Sequence, residues 1–364
     1  MHTPASTTLR PSAARAAADS ATFATRLIAW QRQHGRHNLP WQQGGDAYRV
    51  WLSEIMLQQT QAATVVGYFQ RFLTRFPDLE TLAAAPLDAV LQQWAGLGYY
   101  ARARNLHRAA QQVMREFAGI LPSDPERLQA LPGIGRSTAA AIAALAFGRR
   151  AAILDANVKR LLCRFFAIAG QGSAVDQRLW SLAESLLPQQ EIAVYTQALM
   201  DFGALLCTPR QPQCQQGVCC PLMAQCAAYQ QGRTAELPTA KARRQIPLRR
   251  IDCVLIQDGT RVLLQRRPPL GIWGGLLAPP EGSREEVSSR LGLSLQAIDT
   301  LPVVHHSFTH FRLQLRPLLC RPLAASPRIA ESGDCEWLLL SDLATAALPT
   351  PIRKLLLGLT PPPA

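Results

Sequence analysis

Apolar residues recur at helical spacing through the first two thirds of the chain. Two clear examples are the set Phe23, Leu27 and Ile28 and the set Leu87, Val90, Leu91 and Trp94. Proline and glycine residues separate such runs, at Pro77, Pro86, Gly96, Pro122 and Pro132. Strictly alternating runs are scarce between Thr22 and Tyr229. The pattern therefore predicts an all-α domain over residues 22–231.

The pattern changes in the last third of the chain, where short β-rich runs replace the helical spacing. These runs predict strands at Ile251–Ile256, Val262–Gln265, Phe311–Leu315 and Trp337–Leu340. Turns are predicted at Gly259 and Gly282, and helices at Glu285–Leu291 and Ile352–Leu357. Together these elements predict a small α+β domain over residues 250–358.

One polar segment lies between the two predicted domains, and another precedes the first domain. Residues 232–249 are basic and contain two prolines. They predict an interdomain linker whose cations either stay solvated or follow a phosphate backbone. Residues 1–21 are rich in Ala, Ser, Thr and Arg, with Asp19 as their single acidic residue. They weakly resemble a transit peptide, but we interpret them as a disordered tail.

The net charge points towards a polyanionic partner. The chain has 364 residues, with 38 Lys and Arg against 25 Asp and Glu, which gives a net charge of +13. Such a field attracts nucleic acid, although it also serves solubility alone. No apolar run is long enough to span a membrane, and no secretory signal opens the chain. We therefore expect a cytoplasmic protein of bacterial type, associated with the nucleoid.

Five of the nine cysteines lie within twenty residues. They are Cys207, Cys214, Cys219, Cys220 and Cys226. Crowded cysteines in a chain without a secretory signal favour metal ligation over disulfides. Four thiolates suit either a [4Fe–4S] cluster or zinc. The other cysteines are isolated and are predicted to be packing residues, namely Cys163, Cys253, Cys320 and Cys335.

A glycine-containing turn at Leu131–Gly135 precedes a predicted helix over Ala139–Leu145. Gly133 and Gly135 permit unusual backbone angles and leave backbone N–H groups accessible. The N-terminus of a helix behind such a turn suits an anion such as a DNA phosphate. An ordinary interhelical turn is the alternative.

Two carboxylates stand out by their neighbours. Glu54 lies among Trp51, Ile55 and Leu57, and an apolar environment raises a carboxyl pKa and favours a general acid. An exposed helical Glu is the alternative. Asp155 follows the apolar pair Ile153-Leu154 and could stay ionised to stabilise a cationic sugar. It could equally cap a helix that begins near Asn157, and both roles are compatible.

Taken together, these motifs resemble those of the MutY-type adenine DNA glycosylases, within the helix-hairpin-helix superfamily. The resemblance covers about residues 23–357 and rests on Leu39-Pro40-Trp41, the run from Trp51 to Gln61, the run from Gly96 to Asn105, the hairpin, the Asp155 segment and the cysteines. It implies an all-α helix-hairpin-helix glycosylase domain with an iron–sulfur loop at 207–226, followed by an α+β Nudix-like domain. It also implies removal of adenine from duplex DNA containing A:8-oxoguanine or A:G pairs.

The resemblance assigns roles to individual residues. Glu54 is expected to protonate adenine at N7, Asp155 to stabilise the sugar cation, and Asn157 to hold the site. Residues expected near the flipped adenine or in the duplex are Trp41, Leu57, Gln59, Tyr99, Ser137 and Gln197. Residues expected to check for 8-oxoguanine are Phe308, Thr309 and His310, where Thr309 replaces the usual Ser. Ala156 stands where the family commonly has Gly, which we expect to alter the turn slightly without loss of activity.

The cysteine spacing departs from the family pattern C-x6-C-x2-C-x5-C. Cys207 and Cys214 fit the first pair, and Cys220 and Cys226 fit the last, but five residues separate Cys214 from Cys220. Cys219 is thus a rival third ligand. The resemblance favours Cys220, because Pro221-Leu222 follows it as in the family.

The C-terminal domain resembles a Nudix fold at Gln265–Pro268 and Gly271–Leu276. Nudix hydrolases need a glutamate-rich helix that binds Mg²⁺, and here only Glu285-Glu286 is present without a second acidic pair. We therefore expect hydrolase activity to be absent.

Ser137 occupies the position at which bifunctional relatives carry a Schiff-base lysine. A monofunctional glycosylase that leaves an abasic site is therefore expected. The alternatives are a bifunctional lyase acting on oxidised pyrimidines, a lesion-binding or redox-sensing protein without activity, and a Nudix hydrolase with a DNA-binding arm. The protein is expected to act as a monomer. Whether a replication clamp or repair factors bind it, and which mispair it prefers, is open at this stage.

Overall fold

The computed structural model describes residues 13–240, 245–323 and 334–359, with side chains from Thr22 onward. The first helix, α1, begins at Ala13, within the segment predicted to be a disordered tail. Residues 1–12 of that tail and residues 241–244 of the predicted linker lie outside the described part. The first strand begins at Leu248, two residues before the predicted domain boundary.

Helices dominate the described chain up to Gln230, as the spacing of apolar residues predicts. Their bounds are α1 Ala13–His34, α2 Ala47–Leu57, α3 Ala62–Arg75, α4 Leu79–Ala84, α5 Leu87–Trp94, α6 Ala101–Phe117, α7 Pro125–Gln129, α8 Arg136–Phe147, α9 Ala156–Phe165, α10 Ser173–Ser185, α11 Ile192–Leu205 and α12 Ala227–Gln230. Side-chain caps set several of their starts. Asp124 accepts hydrogen bonds from the backbone N–H groups of Glu126 and Arg127, and Pro125 is the first residue of α7.

The chain divides into two compact units. The first comprises residues up to Ala62 together with Gln112–Ala242, and the second comprises Ala63–Gln111 together with Arg243–Ala364. The core of the first unit forms where α1, α9 and α11 meet. Trp30 packs edge-on against Phe202, with ring centroids 5.0 Å apart, and Phe23 packs on Phe165 at 4.8 Å.

In the second unit, helices α3 to α6 bury their own aromatic cluster. The Phe72 ring lies 4.9 Å from Phe76 and 5.9 Å from Trp94, and all three are fully buried. Nε2 of the buried His107 lies 2.9 Å from the Ala85 carbonyl, which ties α6 to the end of α4. In the turn between α5 and α6, Trp94 Nε1 donates to the Gly98 carbonyl at 3.1 Å.

A mixed seven-stranded sheet forms the rest of the second unit. Its strands are β1 Leu248–Asp258, β2 Arg261–Arg266, β3 Leu277–Ala278, β4 Leu295–Thr300, β5 Val304–Ser307, β6 Arg312–Pro322 and β7 Cys335–Leu339. The central order is β3-β2-β1-β6-β4, with β7 also on β2 and β5 also on β6. β1 and β6 are parallel, and the other pairs are antiparallel.

Two helices accompany this sheet, α13 Arg284–Leu291 and α14 Thr350–Leu357. Val287 of α13 packs into a core with Val254 and Leu263. The four isolated cysteines are all buried, in agreement with a packing role. Within the described residues, no helix is long and apolar enough to cross a membrane.

Candidate active site

Glu54 is held by α2, near the C-terminal end of that helix. Asp46 caps the helix by accepting a hydrogen bond from the Tyr48 N–H, and Trp51 and Ile55 on either side of Glu54 are buried. Burial and, to a smaller extent, the negative charge of Asp155 raise the pKa of Glu54 from its ordinary 4.5 to about 7. The sequence prediction of a carboxyl group kept protonated near neutral pH agrees with this environment.

Asp155 is the N-cap of α9, as its alternative interpretation predicts. Its Oδ1 accepts a hydrogen bond from the Val158 N–H at 2.8 Å, and its Oδ2 accepts one from Asn157 Nδ2 at 3.1 Å. Burial raises the pKa of Asp155, while these hydrogen bonds lower it. Ala156 is the first residue of α9 and follows Asp155 without a left-handed backbone angle, so a glycine is not required there.

These two carboxyl groups therefore differ in how far burial is offset. Desolvation raises the pKa of both groups, but at Asp155 hydrogen-bond donors oppose that rise and favour the anion in part. Their proximity reinforces the difference, because two negative charges close together disfavour each other. The pair can supply one proton donor and one anion at the same pH.

Arg160 connects Asp155 to the cysteine region. Its Nη2 donates to Asn157 Oδ1 at 2.8 Å and to the Gly203 carbonyl at 2.7 Å, and its Nε donates to the Cys207 carbonyl at 2.8 Å. Arg160 therefore fixes the oxygen of the Asn157 amide, while the amide nitrogen donates to Asp155. Gly203 has no room for a side chain, because an added Cβ would lie 2.5 Å from the Cβ of Asn157.

Four cysteines line one small cavity, together with apolar residues of α9 and α11. They are Cys207, Cys214, Cys220 and Cys226. Cys219 is exposed and does not line the cavity, so the structure brings Cys220 to the other three. Arg164 Nη1 donates to Cys207 Sγ at 3.3 Å. Among the described residues, no group of three or more His, Cys, Asp or Glu side chains is arranged to hold a metal ion directly.

A cleft of about 450 Å³ lies beside α2, and Trp41 and Gln197 both line it. A fully buried carboxylate, Asp201, anchors its polar wall. It accepts hydrogen bonds from Gln197 Nε2 at 2.9 Å, Gln31 Nε2 at 3.0 Å and Arg36 Nε at 2.8 Å. Gln31 Oε1 is buried and has no hydrogen-bond partner. The cleft thus combines an aromatic wall with fixed amides.

The remaining members of the predicted pocket lie elsewhere. Leu57, the last residue of α2, is partly buried and does not line this cleft. Ser137 uses its hydroxyl to accept a hydrogen bond from the Leu154 N–H at 3.0 Å. Ser137 thereby links α8 to the segment that carries Asp155.

The hairpin joins α7 to α8. Gly133 has a φ of +79°, which favours glycine, whereas Gly135 is extended and caps α8. Ile134 is buried between them and anchors the turn. Nothing lies within 4 Å of a Cβ added to Gly135, so the turn has open space at the start of α8.

Gln59 and Tyr99 share an unusual backbone conformation. Their φ angles are +57° and +50°, in the left-handed region that non-glycine residues rarely adopt. Both side chains are exposed, and Tyr99 retains 48% of its accessible surface. Strained turns that project exposed side chains are suited to contact a partner.

Phe308, Thr309 and His310 lie together in the turn between β5 and β6. We call residues 308–311 the sensor loop. Its Phe308 and Phe311 rings stack with centroids 4.4 Å apart, and His310 packs on Phe311 at 4.9 Å. The Thr309 hydroxyl lies 3.3 Å from the Tyr99 hydroxyl. The structure therefore brings two predicted duplex-contacting residues together within the second unit.

The acidic residues of α13 are used locally. Glu286 forms a reciprocal capping box with Ser283, and Glu285 pairs with Arg284 at 2.8 Å. Both side chains thus have partners within or next to α13.

Sequence reasoning did not identify several residues that build the site. Arg36, Asp201 and Gly203 act through contacts with residues far away in the chain. Arg160 had a usable signal, because it lies three residues after Asn157 and therefore on the same helix face.

Two segments of the chain match known protein families. Residues 52–185 match the HhH-GPD superfamily of base excision DNA repair proteins, and residues 253–358 match the NUDIX domain. The adenine DNA glycosylase of Buchnera aphidicola subsp. Baizongia pistaciae is 34% identical over 339 residues, which cover 92% of this chain and 95% of the relative. The adenine DNA glycosylase of Homo sapiens is 33% identical over 409 residues, which cover 93% of this chain and 74% of the relative.

Solved structures resemble the helical part. A thermostable thymine-DNA glycosylase aligns with a TM-score of 0.52 and 28% identity over 59% of this chain and 98% of that chain. Endonuclease III in a non-covalent DNA complex aligns with a TM-score of 0.51 and 22% identity over 59% of this chain and 97% of that chain. The second likeness shows the fold alone.

Gly203→Ala tests the packing behind Asn157. The new Cβ must push α11 away from α9 or displace Asn157, since backbone and Cβ atoms lie within 3.0 Å. We expect a loss of roughly 1–3 kcal/mol in the free energy of unfolding, measured by chemical denaturation. Gly67→Ala on α3 is a matched control, because nothing lies within 4 Å of its Cβ. Equal stability of the two variants would contradict the close approach.

Glu54→Gln is expected to stabilise the protein in a pH-dependent way. Because the folded pKa of about 7 exceeds the ordinary 4.5, the folded state holds more protons than the unfolded state between these values. Wild-type stability therefore falls as pH rises from 4.5 to 7, and the variant escapes this loss. Denaturation at pH 5 and pH 8 should show a gain of roughly 1–3 kcal/mol that appears only at the higher pH. Glu80→Gln, an exposed change on α4, controls for the loss of a carboxyl group.

Proposed function

Since this chain belongs to the adenine DNA glycosylase family and is a DNA N-glycosylase of DNA repair, we propose that it removes adenine paired with 8-oxoguanine or guanine. The product is an abasic site in an uncut strand. The observation that carries the proposal is the pair of carboxyl groups, Glu54 with a pKa raised to about 7 and Asp155 held by hydrogen-bond donors at a helix N-cap. This arrangement fits hydrolysis of a glycosidic bond.

Glu54 supplies the proton in this mechanism. Adenine is a poor leaving group as an anion, and protonation of a ring nitrogen lets it depart neutral. With a pKa of about 7, Glu54 is substantially protonated at physiological pH and still acidic enough to transfer its proton. The buried neighbours Trp51 and Ile55 maintain this pKa by excluding water.

Asp155 stabilises the positive charge that develops on the sugar as the base leaves. Its anion is maintained by the Val158 N–H and by Asn157 at the N-terminus of α9. Water then adds to the sugar cation, and the transferred proton is balanced by the proton that water releases. Neither step requires an amine nucleophile.

The cleft beside α2 receives the flipped adenine. Extrusion of the target base is a general requirement for chemistry on bases in duplex DNA. Trp41 offers an aromatic wall, and the Gln197 amide is fixed by Asp201. A fixed amide can discriminate the hydrogen-bonding edge of a base, because an unmatched buried donor or acceptor is costly.

The side chains of Ser137 and Lys159, close to Asp155 in the sequence or linked to its segment, support a monofunctional reaction. Ser137 is engaged with the Leu154 N–H and has no amine to form a Schiff base. The amine of Lys159 is engaged in an ion pair with Asp176. A lyase acting on oxidised pyrimidines is therefore less well supported.

Binding to DNA is assigned to the hairpin and to the exposed turn residues. The amides at the start of α8 bind a phosphate, with Gly133 and Gly135 giving the backbone access. Gln59 and Tyr99 enter the duplex where adenine leaves it. The sensor loop reads the base opposite adenine through the Thr309 hydroxyl and its neighbours Phe308 and His310.

The four thiols of the cysteine cavity fit a [4Fe–4S] cluster, with Cys207, Cys214, Cys220 and Cys226 as ligands. They share one cavity without being gathered for a single ion, and Arg164 donates to the Cys207 sulfur. The cluster would supply structural cross-linking of the loop rather than chemistry at the sugar. The Cys207 carbonyl then holds Arg160, which positions Asn157.

The mechanism predicts the kinetics of two variants. On a duplex with adenine opposite 8-oxoguanine, Glu54→Gln and Asp155→Asn should each bind but release adenine at least about 100-fold more slowly in single-turnover assays. Wild-type release should decline as pH rises above about 7, since Glu54 loses its proton. Abasic sites are scored by strand cleavage after alkali.

Two outcomes would contradict the proposal. Tight binding of wild-type protein without base release would favour a lesion-binding protein. Strand cleavage without alkali, with a borohydride-trapped adduct, would favour a lyase. Glu126→Gln, an exposed change on α7, controls for loss of a negative charge.

The choice of third cluster ligand is tested by Cys219→Ser and Cys220→Ser. Cys220 lines the cavity, whereas Cys219 is exposed. We expect Cys219→Ser to retain wild-type iron and acid-labile sulfide per protein, and Cys220→Ser to lose most of both. If only Cys219→Ser lost iron and acid-labile sulfide, Cys219 would be the third cluster ligand instead of Cys220.

A further inference from the structure

An exposed hydrogen bond joins Tyr99 to the sensor loop. The hydroxyl oxygens of Tyr99 and Thr309 are 3.3 Å apart, and both residues are open to solvent. Water competes for such a bond, so its net contribution is small. The distance between the wedge residue and the sensor loop must therefore be set by other contacts.

Arg104 provides one such contact. It lies on α6, five residues after Tyr99, and its Nη1 donates to the Gly274 carbonyl at 2.6 Å. The guanidinium is partly buried, and this desolvation lowers its pKa. A charged donor on a carbonyl makes a stronger hydrogen bond than a neutral pair. The helix that begins two residues after Tyr99 is thus tied to the loop at Gly274.

The loop at Gly274 is closely packed. A Cβ at Gly274 would lie 2.3 Å from the Pro269 carbonyl oxygen, and a Cβ at Gly275 would lie 3.3 Å from Leu91 on α5. A second tie runs from α5, where Asp88 pairs with Arg266 at 2.8 Å. A displacement of Gly274 relative to the helices is therefore resisted.

Trp273 connects the loop at Gly274 with the sensor loop through ring contacts. It directly precedes Gly274, is 8% exposed and has a φ of +54°. The centroid of its ring lies 6.1 Å from those of both His306 and Phe308. Phe308 is adjacent to Thr309, whose hydroxyl faces Tyr99. The contacts therefore form a closed circuit that starts and ends at Tyr99. Its members in order are Arg104, Gly274, Trp273, Phe308 and Thr309.

We propose that Arg104 is a positioning residue that acts through Gly274 and Trp273 to set the sensor loop against Tyr99. It thereby controls how strongly the enzyme discriminates 8-oxoguanine from guanine opposite adenine. This inference rests on the proposed function of the sensor loop. Arg104 itself touches neither the adenine cleft nor the two carboxyl groups in the contacts that we describe.

Arg104→Met tests the proposal, because it keeps the length of the side chain and removes the donor. We expect the ratio of single-turnover efficiencies on A:8-oxoguanine and A:G duplexes to fall about 10-fold, mainly through loss on the oxidised substrate. In the DNA-free protein, amide hydrogen exchange over residues 304–312 should become at least several-fold faster. Arg115→Met is the matched control, since Arg115 lies on the same helix and makes an exposed ion pair with Glu116.

The hydrogen-exchange measurement separates the possible explanations. If Arg104→Met lowers activity equally on every duplex and leaves amide hydrogen exchange unchanged, Arg104 is a phosphate contact and the proposal is wrong. Absence of adenine release by wild-type protein would refute the proposed function, while faster exchange in Arg104→Met would still establish the positioning contact. Arg104→Gln, whose side chain is too short to reach Gly274, gives the same expectation and replaces Arg104→Met if that variant does not fold.

A double-mutant cycle tests the circuit itself. Thr309→Val removes the hydroxyl that faces Tyr99 while keeping a branched side chain. If Arg104 acts through the sensor loop, the losses in discrimination from Arg104→Met and Thr309→Val should be strongly less than additive. Fully additive losses would show that the two residues act independently and would contradict the inference.

Discussion

The desolvation of two neighbouring carboxyl groups is the constraint around which the catalytic unit is built. Burial alone would neutralise both groups, and an enzyme with two neutral acids could not stabilise a sugar cation. The sequence solves this by placing Asp155 at the N-cap of α9, where backbone and side-chain donors favour its anion. The hydrogen bonds offset only part of the desolvation at Asp155, and the pKa of Glu54 is raised to about 7 by burial and by the charge of Asp155.

This arrangement requires that Asn157 point its amide hydrogens towards Asp155. An amide can turn over unless its oxygen is also engaged, and Arg160 engages it. Arg160 in turn needs buried acceptors, which the Gly203 and Cys207 carbonyls provide. If the cysteine loop were displaced, a buried cation would lose a partner, and the orientation of Asn157 would be lost with it. The loop therefore belongs to the active site in physical terms, although its cysteines lie about fifty residues or more along the chain from Asp155.

The predictable parts of the molecule are those whose signal is local. The N-cap at Asp155, the helix start at Asp124 and the strands β1, β2 and β7 follow from short stretches of sequence. β4 escaped prediction because its residues after Leu295 are exposed and show no apolar alternation. Gly203 and the contact of Asp201 with Arg36 escaped because the partners lie about forty or more residues away, which no spacing along the chain records.

Catalysis and recognition impose different demands on this protein. Adenine is an undamaged base, so no property of the cleft beside α2 can identify it as an error, and a strongly basic chain binds DNA everywhere. Under the proposed function, accuracy comes from the opposite base, and the contact that reads it must hold its position without the help of a deep pocket. An exposed loop gains that precision when several modest contacts close a circuit around it, because each one restricts the motion that would break the others. The packing of Trp273 behind Phe308 and the tie from Arg104 meet this requirement in the second unit.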